Sequence, residues 1–106
     1  MTPTTFTEHD ARHAVRCALE ERDGWRYVET LHAKERMARR SITTLRVRRI
    51  LRSGRIEEGP APGDLGGWKC TFVGTADETV AVVVAFEFDE GGGTTLVVTA
   101  YATGTR

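Results

Sequence analysis

Residues 79–88 read TVAVVVAFEF, and this stretch decides which fold class the chain can adopt. Large apolar side chains recur at every second position, which is the period of a β-strand with one buried face. They belong to Val80, Val82, Val84, Phe86 and Phe88. The apolar run is far shorter than the roughly 20 residues that cross a bilayer. We therefore expect a central strand of a sheet and no membrane span.

After Gly54, segments on both sides of this strand show the same period of two. The pattern predicts four strands, over 55–58, 68–73, 79–88 and 94–102. The segment GPAPGDLGG is interpreted as the loop before the second strand, and TADE and DEGGG as hairpin turns. Four strands in sequence predict an antiparallel meander.

Helical periodicity marks the part of the chain before Gly54. The predicted helices run over Glu8–Arg22, from about Thr30 to Arg40 and from about Thr44 to Ser53, with Thr7 and Thr30 as N-caps. WRYV, residues 25–28, is interpreted as a connector or a short edge strand. Helices followed by a meander predict an α+β fold, in which two to three N-terminal helices pack on one face of a four-stranded antiparallel sheet. A chain of this length is expected to be a single domain over 1–106.

Opposite charges are segregated along the chain, although the formal net charge is zero. Residues 34–55 hold nine basic side chains and one acid, whereas residues 56–106 hold eight acids and two basic side chains. Thirteen of the fifteen basic residues are arginine, whose planar guanidinium binds a phosphate through two hydrogen bonds. A basic block on a neutral chain indicates a surface for a polyanion such as RNA, or for an acidic protein partner.

The cysteines and histidines indicate in which cellular compartment the protein is found and whether it binds a metal. Cys17 and Cys70 form no disulfide framework and show no zinc-ligand spacing, so both are interpreted as small, partly buried hydrophobes. His9 and His13 stand four residues apart, a spacing that can bind a metal, but without a third ligand they are interpreted as solvated surface. The N-terminus lacks the basic start and apolar centre of a secretory signal. We expect a cytosolic protein without a metal or cofactor.

The segment LHAKERMARR, residues 31–40, carries the first candidate site. On a helix, one imidazole and three guanidinium groups fall within roughly a quarter of the circumference. They belong to His32, Arg36, Arg39 and Arg40, while Leu31, Met37 and Ala38 fall on the other side. An imidazole gives or takes a proton near neutral pH, and arginines stabilise charge on a phosphate. The set suits cleavage of a phosphodiester, but taken alone it favours the alternative of an ordinary solvated helix face in which His32 caps or packs.

The last predicted strand and the third helix extend this candidate site. Thr99 and Tyr101 share one face of the strand, where Thr99 can bind phosphate and Tyr101 can stack on a base or act as an acid. The alternative for Tyr101 is an amphipathic cover of the sheet. The third helix presents an arginine outer face that would steer RNA by long-range attraction. That face consists of Arg48, Arg49 and Arg52.

Lys69 and Glu87 fall on the sheet face opposite Trp68 and Phe86. We expect a cross-strand ion pair there, with a phosphate ligand and a base as the alternative. The chain contains no P-loop, GxGxxG, GxSxG or CxxC motif. The sequence therefore does not favour a function as a nucleotide hydrolase, a dehydrogenase or a serine hydrolase.

The order of these segments resembles the domain-of-unknown-function 4258 family over about residues 30–102. The segments are HAKERMARRSITTLRVRRILRSG, WKCTFVG, VAVVVAFEF and TLVVTAYA. Members of the family show a histidine, an arginine-bearing helix that ends in an Arg-Gly-Ile turn, a second helix, and strands that close in a Thr-Val-Tyr-like stretch. The matching residues here are His32, Arg36, Arg40, Ile42 and the segment 99–101. Ser41 stands where the family usually has glycine, which predicts a tighter or reshaped turn.

The resemblance implies a small ribonuclease-toxin fold related to RelE and barnase. Some proteins with such folds are toxins encoded beside an antitoxin, and an acidic or zinc-finger-bearing antitoxin would cover the arginine surface. Metal-free cleavage through the 2′-hydroxyl, which restricts the substrate to RNA, would follow.

The leading hypothesis is therefore a metal-independent endoribonuclease, the toxin of a bacterial toxin–antitoxin pair. His32 would act as acid or base, Arg36 and Arg40 would hold the phosphate, and Thr99 and Tyr101 would position the substrate. Arg39, the arginines of the third helix and Lys69 would bind RNA outside the reacting centre. The alternatives are a non-catalytic RNA-binding module and a protein-interaction module that use the same arginine-rich helical face.

Overall fold

The central strand and its neighbours form one five-stranded mixed sheet. The computed structural model describes residues 2–63, 66–75 and 79–104. The strands are β1 (Trp25–Glu29), β2 (Arg55–Pro62), β3 (Trp68–Thr75), β4 (Thr79–Asp89) and β5 (Gly92–Gly104). Their order across the sheet is β1-β5-β4-β3-β2, and only the β1–β5 pair is parallel.

The prediction of four antiparallel strands is wrong because the segment WRYV forms an additional edge strand. Strand β1 pairs in parallel with residues 93–97 of β5. A parallel pairing joins segments that are far apart in the chain, so the five residues of β1 give no local sign of it. The helices, the meander and the α+β class are as predicted.

The predicted loop GPAPGDLGG begins later than expected, because β2 continues through Pro62. Register shifts between β2 and β3 lie on both sides of Glu58, and they interrupt the alternation that identifies a strand. The DEGGG turn is confirmed, since β4 ends at Asp89 and β5 begins at Gly92. The turn predicted in TADE falls mainly on residues 76–78, which lie outside the described residues.

Within residues 2–54, all of which the structure describes, three helices precede the meander: α1 (Glu8–Leu19), α2 (Leu31–Arg39) and α3 (Thr44–Ser53). Threonine side chains cap all three N-termini by accepting a backbone N–H, and they belong to Thr7, Thr30 and Thr43. Helix α1 ends three residues earlier than predicted, since Glu21 adopts a left-handed φ of 52° that ends the helical backbone. Among the described residues, no helix is long and apolar enough to cross a bilayer.

The core lies between the helices and one face of the sheet. The alternate apolar residues of β4 point into it, and Val80, Val82, Val84 and Phe86 are fully buried. Aromatic rings close one end of the core, with the Phe86 ring 5.0 Å from that of Phe6 and 6.4 Å from that of Trp25. The other face of the sheet, called the open face below, carries Lys69, Glu87 and Tyr101 as exposed side chains.

Candidate nucleic-acid interface

Helix α2 runs beside β5 where strand β1 has ended. The pairing of β1 with β5 stops at Val97, and the N-cap Thr30 donates to the Val97 carbonyl from both its backbone N–H and its hydroxyl, each at 3.2 Å. At the other end of the helix, the Arg40 guanidinium donates to the Ala100 carbonyl at 2.8 Å. Both ends of α2 are therefore fixed to the last strand, and the Arg40 end is fixed at Ala100, between Thr99 and Tyr101.

The predicted side chains of α2 flank the buried stripe of the helix. Ala33 and Met37 face the core, whereas His32, Arg39 and Arg40 are exposed and Arg36 is half-buried. The expectation that Leu31 packs on the apolar side is wrong, since its side chain is 75% exposed. At 100° per residue, Leu31 lies about 160° from Ala33, almost opposite the buried stripe.

Among the described residues, Arg40 is the α2 candidate that forms a hydrogen bond with the last strand. Arg40 contacts β5, while no hydrogen bond in the described part of the chain joins His32 to Arg36 or to Tyr101. His32 and Arg36 are placed on the same side of the helix as Arg40 by helical geometry alone. Their roles as proton carrier and phosphate ligand stay predictions.

The open face of the sheet holds the other predicted residues of the site. Lys69 pairs with Ala85, Thr99 with Val83 and Tyr101 with Ala81, and these positions share the face turned away from the helices. Two neighbouring cavities of about 590 Å³ and about 650 Å³ both border Lys69 and Val83. Tyr101 lines the smaller one and Glu87 the larger one. Their sizes are those of pockets that hold small ligands or single nucleotides.

The predicted ion pair between Lys69 and Glu87 does not form. In the register of the sheet, Lys69 lies opposite Ala85 and Glu87 lies opposite Thr94, so the two charges are offset along the strands. Neither side chain has a salt-bridge partner among the described residues. The Lys69 ammonium therefore remains available to a ligand in either cavity.

Glu58 is a candidate that the sequence did not reveal. Glu58 lines the smaller cavity together with Lys69, Thr71 and Tyr101. The register shifts on both sides of Glu58 mean that its face cannot be read from alternation. A carboxylate on this residue would add a proton acceptor to the cavity that Lys69 and Tyr101 also line.

The arginines of α3 divide into two groups. Arg49 and Arg52 are exposed, as predicted, and Arg49 borders a cavity of about 330 Å³ together with Arg46 and Arg55. The outer-face prediction is wrong for Arg48, which is half-buried.

The contacts of Arg48 explain this difference. Its guanidinium donates to the Leu19 carbonyl at 3.0 Å and lies 5.0 Å from the centre of the Tyr27 ring. The carbonyls at the end of a helix lack helical partners, and Arg48 supplies a donor at the end of α1. The Tyr27 hydroxyl in turn donates to Glu29 at 2.6 Å, and burial together with this bond raises the pKa of Tyr27 above its usual range.

The two cysteines occupy different surroundings. Cys70 lies in the core, as predicted, and burial raises the pKa of its thiol to about 12. Cys17 is also buried, but its Sγ lies 3.5 Å from Nε2 of His13 and donates to the Asp23 carboxylate at 3.7 Å. The sequence interpretation of Cys17 as a plain hydrophobe missed this cluster, because Asp23 follows the helix and reaches Cys17 only through the turn at residues 20–24.

Three helices on a five-stranded mixed sheet, with a basic helix fixed along the last strand and one open sheet face, define a small α+β domain. The chain belongs to the family described as Domain of unknown function (DUF4258), whose model matches residues 30–102. The match extends from the cap of α2 to β5 and leaves α1 and β1 outside. No curated protein and no solved structure matches the chain.

The turn after α2 has a backbone conformation that favours glycine at the position of Ser41. Ser41 adopts a left-handed φ of 57°, and the N–H of Ile42 donates to the Met37 carbonyl at 2.9 Å. This is the Schellman arrangement, in which glycine is favoured at the left-handed residue. The serine thus adds a conformational cost to a common helix end, rather than creating an unusual turn.

Proposed function

We propose that the protein is a metal-independent endoribonuclease and the toxin of a bacterial toxin–antitoxin pair. The observation that carries the proposal is the 2.8 Å bond from Arg40 to the Ala100 carbonyl, which fixes the end of the basic helix α2 to the backbone of β5 between Thr99 and Tyr101. Helices on one face and an accessible sheet on the other are also compatible with kinship to RelE and barnase. That kinship is part of the proposal.

The proposed reaction needs a base, an acid and cations around one phosphodiester. His32 takes the proton from the 2′-hydroxyl, the 2′-oxygen attacks phosphorus, and the bond from phosphorus to the 5′-oxygen breaks. The Tyr101 hydroxyl protonates the leaving 5′-oxygen, and the proton on His32 afterwards restores the phenol. Arg36 and Arg40 stabilise the negative charge that builds on the phosphate oxygens. The products are a 2′,3′-cyclic phosphate and a 5′-hydroxyl.

The open face supplies the binding surface for the flanking nucleotides. Lys69 borders both cavities and can hold a neighbouring phosphate, while Tyr101 offers a ring on which a base can stack. Glu58 is a second possible proton acceptor in the same cavity. Arg39, Arg49 and Arg52 are exposed on α2 and α3 and would attract RNA at longer range. We assign Arg48 a smaller part, since its guanidinium already has partners inside the fold.

The proposed antitoxin would be an acidic protein that covers the basic segment 34–55. That segment has nine basic residues against one acid, and an uncovered surface of this kind binds nucleic acid without selection. An acidic partner would therefore suppress activity by masking the charge that attracts the substrate.

The experiment that tests the proposal is incubation of the purified chain with a structured RNA in excess EDTA. We expect cleavage with products that end in a 2′,3′-cyclic phosphate and a 5′-hydroxyl, and no cleavage of DNA of the same sequence, because DNA lacks the attacking 2′-hydroxyl. Intact RNA at a protein concentration that binds it fully would contradict the proposal. So would cleavage that appears only when a divalent metal is added.

A second candidate function is a non-catalytic RNA-binding module. It is favoured by one observation, namely that no hydrogen bond within the described residues orients the His32 imidazole. A general base usually has its ring fixed by a partner on the other nitrogen. This candidate would bind the same RNA with an affinity that falls steeply with salt, and would release no products.

A further inference from the structure

Three potential metal ligands meet at the end of α1, outside the region matched by the family. His13, Cys17 and Asp23 each place one ligand atom within 4.8 Å of the other two. The Cys17 Sγ lies 3.5 Å from Nε2 of His13 and 3.7 Å from Oδ2 of Asp23. A nitrogen, a sulfur and an oxygen donor thus surround a single point.

The local sequence explains how the three residues come together. His13 and Cys17 are four residues apart on α1, so their side chains share one face of the helix. After the helix ends, Glu21 and Asp23 adopt left-handed φ values of 52° and 56°. The N–H of Arg22 donates back to the Cys17 carbonyl at 2.8 Å, and this tight turn returns the Asp23 carboxylate to the helix.

We propose that His13, Cys17 and Asp23 bind one zinc ion. Zinc takes a nearly tetrahedral set of nitrogen, sulfur and oxygen ligands, at about 2.0–2.1 Å for nitrogen, 2.3 Å for sulfur and 2.0–2.2 Å for oxygen. Those bond lengths place the sulfur roughly 3.5–3.7 Å from each of the other two ligand atoms. The observed separations of 3.5 Å and 3.7 Å agree with this, and the His13 nitrogen and the Asp23 oxygen lie within 4.8 Å of each other.

The surroundings give the ion access and leave one coordination position for water. His13 and Asp23 are exposed, so a metal reaches the buried Cys17 sulfur from solvent between them. Because both of these residues are exposed, the side of the ion that faces solvent can take a water ligand. Three protein ligands and a water form a common zinc arrangement.

A nucleophilic role for Cys17 fits the site less well than a metal does. Burial and the nearby Asp23 carboxylate raise the pKa of the Cys17 thiol, whereas a reactive cysteine needs a lowered one. A metal displaces the thiol proton, and the affinity for zinc should therefore increase with pH. The site uses α1 and the turn after it, while the proposed RNA site uses α2 and β5, so removal of the ion by EDTA should leave RNA cleavage unchanged.

The test is titration of the metal-free full chain with cobalt(II) as a spectroscopic probe, followed by displacement with zinc. We expect one equivalent to bind, with an absorption band for charge transfer from thiolate to cobalt. Loss of an outer partner of a metal site already costs about 10- to 100-fold in affinity, so loss of a ligand in His13→Asn should cost at least about 100-fold. Cys17→Ser should remove the charge-transfer band.

Matched controls keep the test independent of folding. His9→Asn changes another exposed histidine of α1, and Cys70→Ser changes the other buried cysteine, so both should leave metal binding unchanged. His13→Asn alters only an exposed side chain, and circular dichroism should confirm its fold even if Cys17→Ser is unstable. Absence of a thiolate band, or equal loss of affinity in His9→Asn and His13→Asn, would overturn the proposal.

Discussion

Replacing His32 by alanine is expected to slow RNA cleavage in EDTA by about 10²- to 10⁴-fold, the usual contribution of a general acid or base. His32 is exposed on α2, and its side chain supports no other part of the fold through a hydrogen bond among the described residues. The substitution should therefore leave the fold intact and affect the proton transfer alone. Single-turnover rates at saturating protein measure this step without a contribution from binding.

The matched control is His9→Ala, which removes another exposed histidine from a helix that lies outside the proposed RNA site. Its cleavage rate should equal that of the original chain. The same pair should differ in living bacteria, where the original chain and His9→Ala arrest growth when expressed without the antitoxin and His32→Ala does not. Full cleavage by His32→Ala would exclude His32 as the proton carrier and leave Glu58 as the acceptor to test with Glu58→Gln.

Replacing Phe86 by alanine should lower the free energy of unfolding by about 3–5 kcal/mol, the range for removal of a fully buried phenylalanine. The Phe86 side chain is completely buried and contacts the rings of Phe6 and Trp25, which join the N-terminal segment and β1 to the central strand. The loss is a large part of the 5–15 kcal/mol that stabilises an ordinary domain. Urea denaturation followed by circular dichroism measures it.

Leu45→Ala is the control for this prediction, since Leu45 is 67% exposed on α3. It should change the free energy of unfolding by no more than about 0.5 kcal/mol, as surface substitutions usually do. A loss below about 1 kcal/mol for Phe86→Ala would contradict the packing of the aromatic cluster described above.

Local patterns predicted the parts of the fold that local interactions determine. The caps Thr7 and Thr30 gave the starts of α1 and α2, because a threonine side chain binds the first free N–H groups of the helix that follows. Alternation in residues 79–88 gave the buried face of β4, because successive side chains of a strand point to opposite faces of the sheet. The short edge strand was one of two interpretations of residues 25–28, but its parallel pairing was not predicted, since the partner residues lie more than 60 positions away in β5.

Sequence patterns also predicted where some residues of the candidate site lie in the fold. Helical geometry placed His32, Arg36 and Arg40 together, and strand parity placed Tyr101 on the open face. Glu58, Asp23 and the inward contacts of Arg48 were missed. Each of them depends on a register shift, a left-handed turn or a contact between two helices, none of which has a period in the sequence.

The measurement that tests the central claim most directly is amide chemical-shift mapping with a 2′-O-methyl RNA, which binds but cannot be cleaved by attack of a 2′-hydroxyl. If RNA lies along the junction of α2 and β5, the largest shifts should occur at residues 32–40 and 98–102, with a further shift at Lys69. Shifts confined to residues 46–55 of α3 and β2, or no shifts at RNA concentrations that saturate binding, would contradict the account.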